Sequence, residues 1–478
     1  MTKRATRHLF PFPVLLTVFL ACAVNPVTGK KEFMLVSQAD ELALGRQTDA
    51  EVISQYGLYT DEALQAYVSM LGKKMAAITH RPELPYEFKV LDTDVLNAFA
   101  VPGGYVYFTR EIMAYLNDEA ELAGVMGHEL GHIAARHSAQ QMTQAQLVSL
   151  GLGLGSALSE TFAKYAGIAS FGVQMLFLRF SRDHERQADQ LGVEYMTKTG
   201  YDGQAMAEFF TTLERLNPDD GSIPALFSTH PNPVDRVAAV QRYTLEWKQQ
   251  YPGTAISRNR DAYLKKIENA VVGQDPRQGF VRNGVFYHPG LAIQFPVPAG
   301  WTVNNLASQV QMVAPPEDAA VLFSISQGTD PAAAASQFAA QSSAIVSSRQ
   351  SATIHGMPAV LMQSDIQSED TLRVYSAFIR KDAGTFVFHG LGTRENYSSY
   401  LASFRNVAQG FQKVTDTKIL NVKPKRIKLQ AAKTRTSVRN ALLGMNVKTE
   451  DLETLAILNG LNQTDVIEKD TLLKTIAE

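Results

Sequence analysis

The segment Gly127–His137, GHELGHIAARH, constrains this chain more than any other stretch. His128, Glu129 and His132 spell H-E-x-x-H, and on a helix the two histidines lie one turn apart on the same face. Zinc accepts two imidazole nitrogens in that arrangement at about 2.0–2.1 Å without bending the helix. Glu129 then stands where a carboxylate can take a proton from water whose pKa the metal lowers from about 16 to about 7. The flanking residues predict the helix itself. Asn117 or Asp118 can cap it, Glu121 forms a capping box with Asp118, and Leu122, Val125, Met126, Leu130 and Ile133 form an apolar stripe. Gly124, Gly127 and Gly131 recur along it, each weakening a helix by about 1 kcal/mol relative to Ala. That pattern implies another element crossing at close range.

At 478 residues, with 45% hydrophobic and 19% charged residues, the chain can bury more than one core and has room for two to four domains. Its formal charge is −2, and no basic run is interleaved with aromatics, which argues against a nucleic-acid partner. Lys3, Arg4 and Arg7 precede an apolar run, Leu9–Ala21, that is too short to span a bilayer core of about 30 Å. Residues 1–21 therefore read as a secretory signal. Its end, Phe19-Leu20-Ala21-Cys22, resembles the lipobox of bacterial lipoproteins, although Phe19 and Leu20 replace the usual Leu and small residue. The resemblance implies lipidation at Cys22; the other reading is an ordinary cleaved signal. Cys22 is the only cysteine, so intramolecular disulfides are excluded. Ala23 after the cysteine favours anchoring to the outer membrane, facing the periplasm, by the lipoprotein sorting pattern.

Residues 22–36 read as a tether, and Ser37 can cap a helix through Asp40–Tyr56. Thr60 can cap a second helix carrying Ala63, Leu64, Tyr67, Val68, Leu71 and Met75 at helical spacing. Tyr86–Leu91 and Tyr105–Thr109 read as strands joined through a segment that contains Asn97 and Ala98. A strand here can pair with an extended peptide as an edge, or simply form a hairpin packed under the site. Leu147–Leu158 and Tyr165–Phe180 are apolar but short of a membrane span; they predict a helical hairpin over the site, as a lid, or a membrane-resting segment. The run from Ser181 to Asp189 opens a helix reaching about Lys198, on which Glu185 and Asp189 share a face. One carboxylate on zinc and another one turn on, holding a histidine N–H, is the support a zinc site needs. A charged helix face of this spacing is also a common solvated surface.

His128-Glu129-x-x-His132 followed by Glu185-x-x-x-Asp189 resembles the HtpX-like and CaaX-prenyl-protease-like zinc metallopeptidases, peptidase family M48. Asn97-Ala98-Phe99 with Pro102-Gly103-Gly104, and His230-Pro231 with Arg236, match it as well. The resemblance covers about residues 23–250. It implies a gluzincin-type domain with one zinc held by His128, His132 and Glu185, Glu129 as general base, Asp189 as orienting carboxylate, and endopeptidase activity on polypeptides. It further implies that His230 either stabilises the oxyanion or enters as a fourth zinc ligand that shuts the site, with Arg236 fixing the loop or pairing with a carboxylate. On the residues alone, His-Pro simply caps a helix at Val234–Lys248. His137 and His184 have the wrong helical offset to ligate, and His80, His288, His355 and His389 read as ordinary surface or core residues.

The expected fold class is thus α+β multidomain: a mostly helical metallopeptidase domain with a small sheet (37–250), a connector (251–279), an α+β antiparallel-sheet domain (280–415) and a small βααβ domain (416–478). In the third region 281–300, Gln309–Val313, Ala320–Ser326, Ala359–Ile366, Leu372–Lys381 and Thr385–Leu391 read as strands, and Pro331–Ser347 and Asn396–Phe411 as helices. Its Gly-Leu-Ala-Ile-Gln-Phe-Pro opening resembles PsbP/Mog-like domains. The last region resembles a LysM domain, with Ala431-Ala432-Lys433-Thr434 in place of the usual Gly-Asp-Thr. Peptidoglycan or an envelope protein is its expected partner. The function read from all this is a zinc-dependent endopeptidase of the bacterial envelope that removes misfolded or unassembled proteins. The competing class is a non-proteolytic assembly factor or peptidoglycan-binding lipoprotein with a structural metal site.

Overall fold

A computed structural model describes residues 22–149, 179–216, 226, 229–230, 235–254, 256–315, 317–326, 328–367 and 371–478. The signal sequence, most of the apolar hairpin expected between 147 and 180, and Pro231 lie outside them. The chain forms two compact units, one built from residues up to Val52, Leu58–Ala270 and Ile427–Ile476, the other mainly from Val271–Arg426.

The first unit begins with a hairpin where a tether was expected: β1 (Cys22–Val24) pairs antiparallel with β2 (Lys31–Phe33). Asn25 makes the turn, its Oδ1 accepting from the amides of Val27 and Thr28 at 2.9 and 3.2 Å. Met34 and Val36, which follow β2, bury against Ala139. Helix α1 (Gln38–Tyr56) and helix α2 (Glu62–Ala76) come next. Asp61, not Thr60, caps α2, because its side chain accepts from Leu64 N. The small sheet has the order β3 (Glu87–Leu91), β5 (Tyr105–Thr109), β4 (Ala98–Val101). β3 runs parallel and β4 antiparallel to β5, so the segment read as a connection is itself an outer strand.

Short helix α3 (Arg110–Tyr115) leads into α4 (Glu119–Ala134), the helix of the H-E-x-x-H motif. Asp118 caps α4 by accepting from Glu121 N at 2.8 Å, and every residue from Ala120 to Ala134 is buried. After α5 (His137–Ser149) comes α6 (Arg182–Thr199), stopped by Gly200 in the left-handed conformation at φ 88°. The predicted close crossing is between α4 and α6. A Cβ on Gly127 would meet Gly192 O at 2.9 Å, and one on Gly131 would meet Ala188 Cα and O at 3.0 Å. Helices α7 (Gln204–Arg215), α8 (Arg236–Gln250) and α9 (Arg260–Ile267) complete this layer.

The second unit is antiparallel. β6 (Phe280–Arg282), β7 (Val285–His288) and β8 (Ile293–Pro296) belong to a four-stranded sheet. β9 (Thr302–Asn305), β10 (Gln309–Val313), β11 (Ala319–Ser326), β12 (Ile345–Ile354), β13 (Met357–Ile366), β14 (Leu372–Lys381) and β15 (Gly384–Thr393) form a seven-stranded sheet ordered β12-β13-β14-β15-β11-β10-β9. Helix α10 (Pro331–Gln341) covers one face through Ala334 and Ala335, and helix α11 (Tyr397–Gln409) contributes Phe404 and Val407 to the aromatic core on the other. The helix expected to reach Ser347 stops early. Ser343 has φ 50°, and the following strand β12 is polar and exposed along the sheet edge, so it lacks the apolar alternation that marks a strand.

After β16 (Gln412–Lys413), the chain returns to the first unit as β17 (Arg426–Ala431), β18 (Thr436–Ser437), α12 (Val438–Gly444), α13 (Leu452–Leu458), β19 (Val466–Ile467) and β20 (Leu472–Ala477). Its βααβ order is the one expected. Lys474 is buried and donates to the carbonyls of Ala114 and Leu116, at the end of α3, at 2.6 and 2.9 Å. Arg215 reaches Leu461 O at 2.9 Å, and Arg260 reaches Leu472 O at 2.9 Å. These bonds fix the return segment against the end of α3, the last residue of α7 and the first of α9.

Candidate metal centre

α4 and α6 bring together residues that are far apart in sequence. The Nε2 atoms of His128 and His132 lie 3.0 Å apart, close to the roughly 3.3 Å edge of a tetrahedron with Zn–N bonds of 2.0–2.1 Å. Glu185 Oε1 is 3.4 Å from His132 Nε2 and 3.0 Å from His230 Nδ1, which is itself 3.2 Å from His128 Nε2. His128, His132, Glu185 and His230 thus offer four ligand atoms within 4.8 Å of one another, all from buried residues. Three nitrogens and a carboxylate oxygen suit zinc.

The supporting contacts set the direction of each donor. His128 Nδ1 donates to Asp189 Oδ1 at 2.9 Å, leaving Nε2 for a metal. Arg236 holds the same carboxylate in a fork, Nε to Oδ2 and Nη2 to Oδ1, both at 2.8 Å, and reaches Glu185 Oε2 at 3.3 Å. Its guanidinium also lies 4.0 Å from the centre of the Phe210 ring. Asp189 and Arg236 thus lie against each other beside His128; Arg236 opens α8, Asp235 makes no side-chain cap, and Val234, where the helix was expected to start, lies outside the described residues.

Glu129 is buried beside this group, 3.7 Å from His230 Nε2, and neither of its carboxylate oxygens has a hydrogen-bond partner among the described residues. Burial raises its pKa, partly opposed by His230 and His128. An unpartnered buried carboxylate next to a convergent donor set fits a group that receives protons from a metal-bound ligand. Burial also disfavours ionised Glu185, but His230, His132 and His128 outweigh it and hold that carboxyl well below its ordinary range. Burial lowers His132 well below the usual histidine value.

Asn97 is buried, and its carbonyl accepts from Thr109 N at 3.0 Å; Ala98 opens β4, which packs against α4. Three residues near the site escaped the sequence reading as contributors. Phe180 lies over the His132 ring, centroids 4.0 Å apart, and its amide donates to Thr229 O at 3.1 Å, next to His230. His137 Nδ1 is 2.9 Å from His132 Nδ1, and His137 Nε2 is 2.9 Å from Gln187 Oε1. His137 was set aside because five residues from His132 is the wrong offset on a continuous helix. The helix ends at Ala134, and Arg136 at φ 60° turns the chain back. The signal was the loss of helix continuity, which local pattern did not show. Burial pushes His137 down to about 3, so it is neutral. His80 and His389, read as ordinary surface or core residues, contact Tyr195 OH and Ser376 Oγ, each at 2.8 Å.

The sequence profile of peptidase family M48 matches residues 62–244, the stretch that carries every residue of this centre. The metalloprotease YcaL of Escherichia coli (strain K12) is 30% identical over 214 residues, covering 43% of this chain and 80% of that protein. The chain belongs to peptidase family M48. The beta-barrel assembly-enhancing protease of Yersinia pestis is 30% identical over 222 residues, 45% of this chain and 46% of its own length. The mitochondrial metalloendopeptidase OMA1 of Schizosaccharomyces pombe is 29% identical over 225 residues, 46% of this chain and 66% of its own. This chain spans about half the length of the beta-barrel assembly-enhancing proteases it matches. Its backbone is also similar over a short stretch to the solution structure of PsbP from Synechocystis sp. PCC 6803 (12% identity, 27% of this chain, 91% of that chain), with a TM-score of 0.24. Among the described residues no helix is long and apolar enough to cross a membrane.

Proposed function

We propose that this chain is a zinc-dependent endopeptidase of the bacterial envelope, acting on misfolded or unassembled envelope proteins. The observation that carries the reading is the convergence of four buried donors beside Glu129. His128, His132 and Glu185 would hold the zinc, which would supply Lewis acidity toward water and the scissile carbonyl. Glu129 takes the proton of the attacking water and can return it to the leaving amine. Asp189 keeps the Nδ1 hydrogen on His128, and Arg236 holds Asp189 in place. β4, as an outer strand against α4, offers backbone pairing to an extended polypeptide, which favours unfolded chains over any particular side chain.

His230 gives this reading a second feature. Its Nδ1 completes the donor set, the position that an incoming water or substrate carbonyl needs. We assign it the gating role: the observed arrangement is latent, and the site opens when His230 leaves. The envelope setting is supported by the lipobox-like Phe19–Cys22 and by relatives named beta-barrel assembly-enhancing proteases. The test is casein cleavage by zinc-loaded protein, with and without chelator, beside Glu129→Gln. Activity lost to both the chelator and the substitution supports the proposal; equal activity in all three samples refutes it.

A further inference from the structure

We propose that His137 and Gln187 are positioning residues that fix which nitrogen of His132 carries hydrogen and so aim its Nε2 at the metal. The inference rests on the zinc-site reading above. A ligating histidine normally donates its second ring N–H to a carboxylate, carbonyl or water. His128 follows that rule through Asp189. The partner of His132 is instead another imidazole, buried His137, at 2.9 Å.

The direction of the chain of bonds follows from its far end. Gln187 Oε1 can only accept, so His137 Nε2 carries the hydrogen and His137 Nδ1, in a neutral ring, is bare. That bare nitrogen accepts from His132 Nδ1–H, which leaves the His132 Nε2 lone pair facing His128 and Glu185. Charge explains why a neutral acceptor is used. Glu129, Glu185 and Asp189 already bring three carboxylates to a buried site whose cations would be Arg236 and a bound zinc. A fourth carboxylate would add an unbalanced buried charge, whereas an imidazole adds an acceptor without one.

The backbone is built to place this ring. Arg136 adopts φ 60°, and it is held there by Glu41 Oε1, 3.1 Å from its Nε, and by Val36 O, 2.8 Å from its Nη2. His137 starts α5 directly after that turn and stacks on His184, ring centroids 4.3 Å apart. Val36 and Glu41, distant from His132 in sequence, thus act on it through Arg136 and His137.

The experiment measures zinc affinity of the full chain by chelator competition for wild type, His137→Phe, His137→Asn, Gln187→Leu and Glu185→Ala, with thermal unfolding of the zinc-free proteins as the fold control. His137→Phe should bind zinc about 10- to 100-fold more weakly. His137→Asn can offer its amide oxygen near the Nδ1 position and should recover most of that loss, and Gln187→Leu should fall between. In zinc-loaded wild type, nitrogen-15 NMR should place the His132 hydrogen on Nδ1. Wild-type affinity in His137→Phe, or equal losses in the Phe and Asn variants, overturns the proposal; if the Phe variant does not fold, wild-type affinity in Gln187→Leu does so. Undiminished affinity in Glu185→Ala would instead refute the zinc-site reading itself.

Discussion

Gly127→Ala tests the crossing that assembles the centre. The added Cβ would lie 2.9 Å from Gly192 O and 3.0 Å from Gly192 Cα, both backbone atoms, so no rotamer change relieves the contact. Overpacking of a closed interior costs about 1–3 kcal/mol, against a helix-propensity gain of about 1 kcal/mol for replacing Gly. With backbone on both sides the upper part of the range applies, and a net loss of about 1–2 kcal/mol follows. The same displacement moves Glu185 and Asp189, carried on α6, away from the histidines on α4, and zinc affinity should drop at least about tenfold. Gly444→Ala is the control, since a Cβ there meets nothing within 4 Å. The assays are urea unfolding of zinc-free protein and chelator competition for zinc. If Gly127→Ala is as stable as the control variant and binds zinc like wild type, the close crossing does not hold the site together.

Other outcomes follow from the same structure. His230→Ala should raise basal proteolysis of a casein substrate if His230 shuts the site; a fall in kcat at unchanged zinc content would assign it to the oxyanion instead. Lys474→Met should destabilise the chain by about 2–4 kcal/mol, because it strips two buried carbonyls of their donor; urea unfolding measures it, and a change below about 0.5 kcal/mol would show that the return segment is merely apposed. Burial pushes Glu121 up to about 8 from 4.5, so folding takes up a proton across that window and stability from this group falls as pH rises through about 8. Glu121→Gln should remove that fall in unfolding free energy measured from pH 5 to 9; an unchanged slope would contradict it.

The two metal-binding helices were legible because each carries local signals. Asp118 and Glu121 mark the start of one and Gly200 the end of the other, and the glycines of α4 announce the crossing. Glu185 and Asp189 were assigned through family resemblance, since their spacing alone describes any solvated helix face. His137 was lost to a backbone reversal at Arg136 whose stabilisers, Glu41 and Val36, sit far upstream. The hairpin at Cys22–Phe33 was missed for a related reason: three-residue strands leave no periodicity, and the Asn25 turn was the only cue. Nothing in the sequence around Lys474 marks it as buried. Its burial depends on carbonyls at Ala114 and Leu116, which no local pattern could pair with it.

The most direct test of the account is zinc per chain in purified wild type beside Glu185→Ala, each dialysed against the same weak chelator. Two segments separated by more than fifty residues are claimed to hold one ion. The structure predicts close to one zinc in wild type and a large loss in the variant, in which His128, His132 and His230 are left without the carboxylate that links the two segments. Equal zinc in both proteins would contradict the claim.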